Sequence, residues 1–120
     1  MKLEIKTRWV QALRSGKYQQ SHEALKTDTG YCCLGVLCDI VKDEISIDWE
    51  SHVRTDGMIK YSTSSFDGSF EFLPDSVVSY TEVDSNNPKV IDGFRFVYFS
   101  SLNDGGVDFS VIADTIEEYM

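Results

Sequence analysis

The stretch GYCCLGVLCDIV places Cys32, Cys33 and Cys38 within seven positions, and thiols so close together raise four chemistries: metal binding, disulfide bonding, nucleophilic catalysis and apolar packing. A zinc site needs four ligands converging at about 2.3 Å for sulfur, usually delivered by CxxC knuckles. On a helix turning about 100° per residue, Cys32 and Cys33 diverge by about 100° and Cys38 lies about 120° to 140° from either, so three thiolates do not converge. His22 and His52 would join them only through long-range placement. An odd cysteine count with two neighbours adjacent fits a reducing compartment better than a disulfide scaffold. As a nucleophile, Cys32 is the best candidate, since a helix start favours thiolate and His22 is a conceivable base. Cys33 falls on an apolar face, where free cysteine behaves as a small hydrophobe. The spacing therefore predicts packing for the three thiols, with Cys32 catalysis as the competing reading.

Carboxylates offer a second chemistry. Asp48 with Glu50 and Asp104 with Asp108 are pairs suited to a divalent ion or to acid–base work. DGGVD, however, lacks the alternating ligands and distal Glu of a calcium loop. Asn103 and Asp104 are expected to serve turn formation. Phosphate-cradling, dinucleotide-binding, nucleophile-elbow and HExxH motifs do not occur, so no ordinary nucleotide-dependent enzyme is indicated. A third group, Arg14, Tyr18, Gln19 and Gln20, joins a cation, a ring and amides just past a predicted helix. With Arg54 or Arg95 it would suit a nucleotide, a phosphate on arginine and a base on the ring. The competing reading is a solvated helix end with Tyr18 closing the core.

These residues must be carried by elements. Ile5, Trp9, Ala12 and Leu13 recur with helical spacing and Gly16 follows as a stop signal, predicting an amphipathic helix over roughly 5 to 15. Residues 17 to 27 are read as two short extended segments, and TDTG at 27 to 30 as a turn. Cys33, Val36, Leu37, Ile40 and Val41 predict a second, nearly all-apolar and hence central helix, in which Gly35 permits a close crossing. Beyond Ser46, turn signals recur at TDG (55 to 57), FDG (66 to 68), NNP (86 to 88), DG (92 to 93) and NDGG (103 to 106). Between them MIKYS, SFEFL and FRFVYFS read as strands of one antiparallel sheet. Pro74 opens a short helix, and DFSVIADTIEEYM a last one with Asp108 placed as N-cap. The expectation is a single α+β domain over residues 1 to 120: two N-terminal helices, a central antiparallel sheet and a C-terminal helix.

At 120 residues the chain can bury a core unaided, and no apolar run approaches the roughly 20 residues of a membrane span. A soluble, cytoplasmic protein with no membrane partner and no cofactor is expected. Its charge is unevenly placed. Residues 1 to 26 hold six basic and two acidic residues, net +4, whereas residues 27 to 120 hold five against eighteen, net -13. Such a surface repels nucleic acid, which is bound by neutralising phosphates, so direct nucleic-acid binding is not expected. It serves solubility, or it attracts a basic protein and imitates nucleic acid in doing so. The acids nominated for that face are Asp43, Glu44, Asp48, Glu50, Asp104, Glu117 and Glu118.

RWVQALRSGKYQQ at 8 to 20, GYCCLGVLCDI at 30 to 40 and SLNDGGVDFSVIADTIEEY at 101 to 119 together resemble a widespread family of small, largely uncharacterised bacteriophage-encoded proteins. That family commonly opens its last helix with a Thr and places a Glu three residues on. Asp108 and Val111 stand there here. The resemblance implies an accessory phage product in the bacterial cytoplasm that works by binding. Three readings follow: an inhibitor or modulator of a host protein such as a defence complex or nuclease, a sponge for a nucleotide messenger whose pocket a homo-oligomer would help build, and a cysteine-dependent enzyme.

Overall fold

The computed structural model describes residues 1–64, 69–92 and 95–120. Helix α1 (Leu3–Arg14) buries Ile5, Trp9, Val10 and Leu13 along one stripe and stops at Gly16, whose φ of +75° a residue with a side chain rarely adopts. Helix α2 (Cys33–Val41) has no solvated face over its first six residues, all of which are buried. It is the centre of the molecule. Trp9 ties α1 to it by donating its indole N–H to the Cys33 carbonyl at 2.9 Å and packs edge-on against Phe99. The expected crossing at Gly35 is present and severe: a Cβ there would lie 1.7 Å from the Leu25 carbonyl oxygen.

Strand β1 (Lys26–Thr27) pairs antiparallel with β3 (Ile59–Thr63), which pairs with β2 (Trp49–Val53), giving the order β1-β3-β2. A separate hairpin of β4 (Lys89–Asp92) and β5 (Arg95–Tyr98) forms the second sheet. The single central sheet is thus corrected to two antiparallel ones. Of the segment 17 to 27, only β1 is a strand, with Gln20 making an isolated bridge to Tyr31. SFEFL is not a strand. The Ser69 hydroxyl takes the amide protons of Glu71 and Phe72, a local turn that removes both from any ladder, while Leu73 is buried. The FDG turn at 66 to 68 lies outside the described residues, as do Gly93 and Phe94.

Helix α3 (Asp75–Thr81) begins after Pro74 as expected and closes on Glu82 in the left-handed region, φ 61°. Helix α4 (Phe99–Asp104) was not anticipated: the aromatic run of FRFVYFS ends its strand at Tyr98 and coils. Helix α5 (Phe109–Tyr119) lies against α1, with Phe109, Ile112, Ala113 and Ile116 buried. Asp108 occupies its N-cap position, but its side chain makes no capping hydrogen bond. The result is a small α+β fold with one apolar core to which all five helices and Val90 of β4 contribute, with Trp49 of the first sheet packed against it. Among the described residues, no helix is long and apolar enough to cross a membrane.

Candidate functional site

Burial decides the behaviour of the thiols. Cys32, Cys33 and Cys38 are free and buried. Cys32 is the N-cap of α2, its sulfur accepting the Gly35 N–H at 3.4 Å, yet desolvation outweighs those amide protons and pushes its thiol up to about 12. The expectation that the helix start favours thiolate at Cys32 is therefore corrected: loss of water wins over the dipole. Cys33 and Cys38 are driven up by the same burial. His22 turns its Nδ1 to the Asn103 carbonyl at 2.9 Å, and His52 packs on Phe70 with its Nε2 3.2 Å from the Ser62 hydroxyl. Among the described residues, no three His, Cys, Asp or Glu side chains are grouped to hold a metal ion.

The nucleotide-binding candidates sit in different places. Arg14 reaches across to α5 and pairs with Asp114 at 2.5 Å and Glu117 at 2.9 Å, which raises its already high pKa. It borders a cleft of about 340 Å³ with Lys6 and Glu117. Tyr18 borders another, of about 410 Å³, with Arg8 and Lys17. The Tyr18 hydroxyl donates to Asp39 at 2.6 Å, and burial, then this bond, hold the phenol above its usual range. Gln19 is exposed, its backbone carbonyl accepting from Tyr31. Arg54 pairs with Asp56 at 3.3 Å where β2 turns into β3. Arg95 borders an apolar cleft of about 290 Å³ with Val97, Leu102 and Tyr119. Arg14, Tyr18 and Arg95 thus border three separate clefts.

Most cations of the basic N-terminal segment are engaged by partners within the molecule. Arg8 makes a two-pronged contact with Glu44, at 2.7 and 2.9 Å, and donates to the Ile40 carbonyl; the pairing lowers the Glu44 carboxyl. Lys6 donates to the Glu117 carbonyl, Lys2 lies over the Tyr80 ring, and Lys26 lies among three aromatic rings. Of the nominated acids, Glu44 and Glu117 are held by these arginines, and Asp104 accepts the Glu23 amide. Asp43, Asp48, Glu50 and Glu118 remain on the surface; the Asp43 side chain is 93% exposed despite its contact with Lys42. Asp48 accepts the Trp49 amide while staying solvated.

The family described as Domain of unknown function (DUF8296) matches residues 1–120. The chain belongs to this family. No curated protein and no solved structure matches it. The DUF8296 match spans 45 to 100 as well as the segments that carry the cysteines and the last helix. That middle segment supplies β2, β3, α3, β4 and β5, and with them much of the acidic surface.

Two residues organise the packing beneath this surface: Asp39, and Asn103, which was expected only to form a turn. Asn103 is fully buried and Asp39 holds both Tyr18 and the Trp49 indole. Apart from Asp104 next to Asn103, their side-chain partners lie 10 to 83 residues away and leave no local signal.

Proposed function

We propose that this protein is a non-enzymatic binding protein whose acidic surface docks a basic face on another protein, in its sharpest form by imitating nucleic acid. One observation carries this reading. Arg8 and Arg14 are paired with carboxylates and Lys2 and Lys26 are stacked on rings, so these cations are already engaged while Asp43, Asp48, Glu50 and Glu118 face solvent. The surplus of acids therefore projects outward as a field that steers a basic partner. The resemblance to phage-encoded proteins makes that partner a bacterial host protein met in the cytoplasm, and a defence complex or nuclease fits because such proteins present basic nucleic-acid-binding faces. The nucleotide-sponge reading has less support, since Arg14 must abandon two carboxylates before it holds a phosphate.

The test is capture of host proteins on immobilised protein, wild type against a variant carrying Asp43→Asn, Asp48→Asn, Glu50→Gln and Glu118→Gln. Wild type is expected to retain a nucleic-acid-binding protein at low salt, to release it at high salt and to release it when competing DNA is added. Equal retention by the neutralised variant sinks the reading. Nucleotide released by heating, with no protein partner, would favour the sponge.

A further inference from the structure

Strand β1 sets Lys26 opposite Tyr61 on β3, and β2 brings Trp49 to the same face two residues along the ladder. Tyr31 bridges to Lys26 just before α2. The Lys26 Nζ lies 4.6 Å from the centre of the Tyr61 ring, 5.1 Å from Tyr31 and 5.6 Å from Trp49. Two of these rings are fixed from behind. Asp39 accepts the Trp49 indole N–H at 2.9 Å and the Tyr18 hydroxyl at 2.6 Å, and Tyr18 packs edge-on against Tyr31 at 5.0 Å. Among the described residues, no carboxylate comes within 4.0 Å of the Lys26 ammonium. The ring faces hold it through their quadrupoles.

All three separations lie within the roughly 6 Å at which a ring face attracts a cation. A methyl carbon lies about 1.5 Å from its nitrogen and packs about 3.5–4.0 Å from ring carbons, so a quaternary nitrogen sits at most about 5.5 Å from a ring that its methyl groups touch. Tyr61 at 4.6 Å and Tyr31 at 5.1 Å lie inside that limit, and Trp49 at 5.6 Å lies at its edge. All four residues are only partly buried, so the site opens to solvent. We propose that Tyr31, Trp49 and Tyr61 form a recognition site for a quaternary ammonium cation, held shut by Lys26. Lys26 is the resident occupant, and an outside cation binds by displacing it from a strand of just two residues. Competition with this internal ammonium weakens the apparent affinity of the intact chain. The site stands independently of any basic partner on the acidic surface.

The experiment is calorimetric titration of tetramethylammonium chloride, against matched sodium chloride, into wild type, Lys26→Ala, and Lys26→Ala combined with Tyr61→Ala. Folded Lys26→Ala is expected to bind saturably and at least fivefold more tightly than wild type, and the added Tyr61→Ala to abolish binding. No saturable binding by Lys26→Ala, less than a fivefold difference from wild type, or binding retained without Tyr61 overturns the proposal. Should Lys26→Ala not fold, Lys26→Met keeps the stem without the charge. It is then expected to bind at least twofold more tightly than wild type, and a smaller gain overturns the proposal.

Discussion

Asn103 shows how much one side chain does here. Its carbonyl oxygen accepts from Gln20 Nε2 and the Cys33 amide, and its amide nitrogen donates to the Ser21 carbonyl and to Asp104. It therefore joins the loop before β1 to the first turn of α2 and to α4. Asn103→Ala leaves the buried Cys33 N–H without its acceptor, and urea unfolding is expected to show a loss of about 1–3 kcal/mol. In NDGG the residue reads as a turn former, because three of its four partners, Gln20, Ser21 and Cys33, come from distant segments. The thiols were more legible, since their helical spacing already implies burial. All three are expected to resist alkylation at pH 8 in the folded protein and to react once unfolded. Their raised pKa values also set a pH dependence. Above the unfolded thiol value of about 8.5 the unfolded chain gives up protons that the buried thiols keep. Stability is present in full below that value and falls as pH rises toward 12, by about 1 kcal/mol per pH unit for each buried thiol. Thermal unfolding from pH 7 to 10 measures it.

At the scale of elements, the close approach of α2 to the chain at Leu25 is the tightest constraint. Gly35→Ala must push a backbone carbonyl aside, and a destabilisation of about 3 kcal/mol or more is expected in denaturant unfolding. Glu82, by contrast, closes α3 with φ 61° where glycine is at ease, and Glu82→Gly is expected to gain up to about 1 kcal/mol. Helices α1 and α5 were legible because each buries a stripe of period 3.6, and α2 because its run is nearly all apolar. The strands were legible only in part: β3 and β5 fall where MIKYS and FRFVYFS predict them, whereas β1, β2 and β4 do not stand out. Four of five β2 residues are exposed, so WESHV shows no buried alternation, and β1 is too short to show any. SFEFL alternates like a strand, yet Ser69 ties up its amides. Helix α4 hid inside an aromatic run whose Phe99 is buried and whose amide bonds to the Pro88 carbonyl.

For the whole molecule, charge separation along the chain becomes charge pairing in space. The net -9 is carried outward because the basic N-terminal helix faces α5 and the end of α2, where Glu117, Asp114 and Glu44 receive it. The asymmetry was readable in the sequence, but where the positive end would dock was not, since pairs 36 to 103 residues apart leave no local pattern. These exposed pairs add little stability singly, about 0–1 kcal/mol. Their larger effect is to hold those cations in pairs on the molecule's own carboxylates. The most direct measurement is the affinity of the purified protein for its captured host partner between 50 and 300 mM salt, alongside the variant neutralised at Asp43, Asp48, Glu50 and Glu118. Wild-type affinity is expected to fall about tenfold or more across that range, and the variant to bind weakly with a shallow slope, because exposed charges are screened within about 10 Å at 0.1 M. Salt-independent affinity, or a variant equal to wild type, would contradict the account.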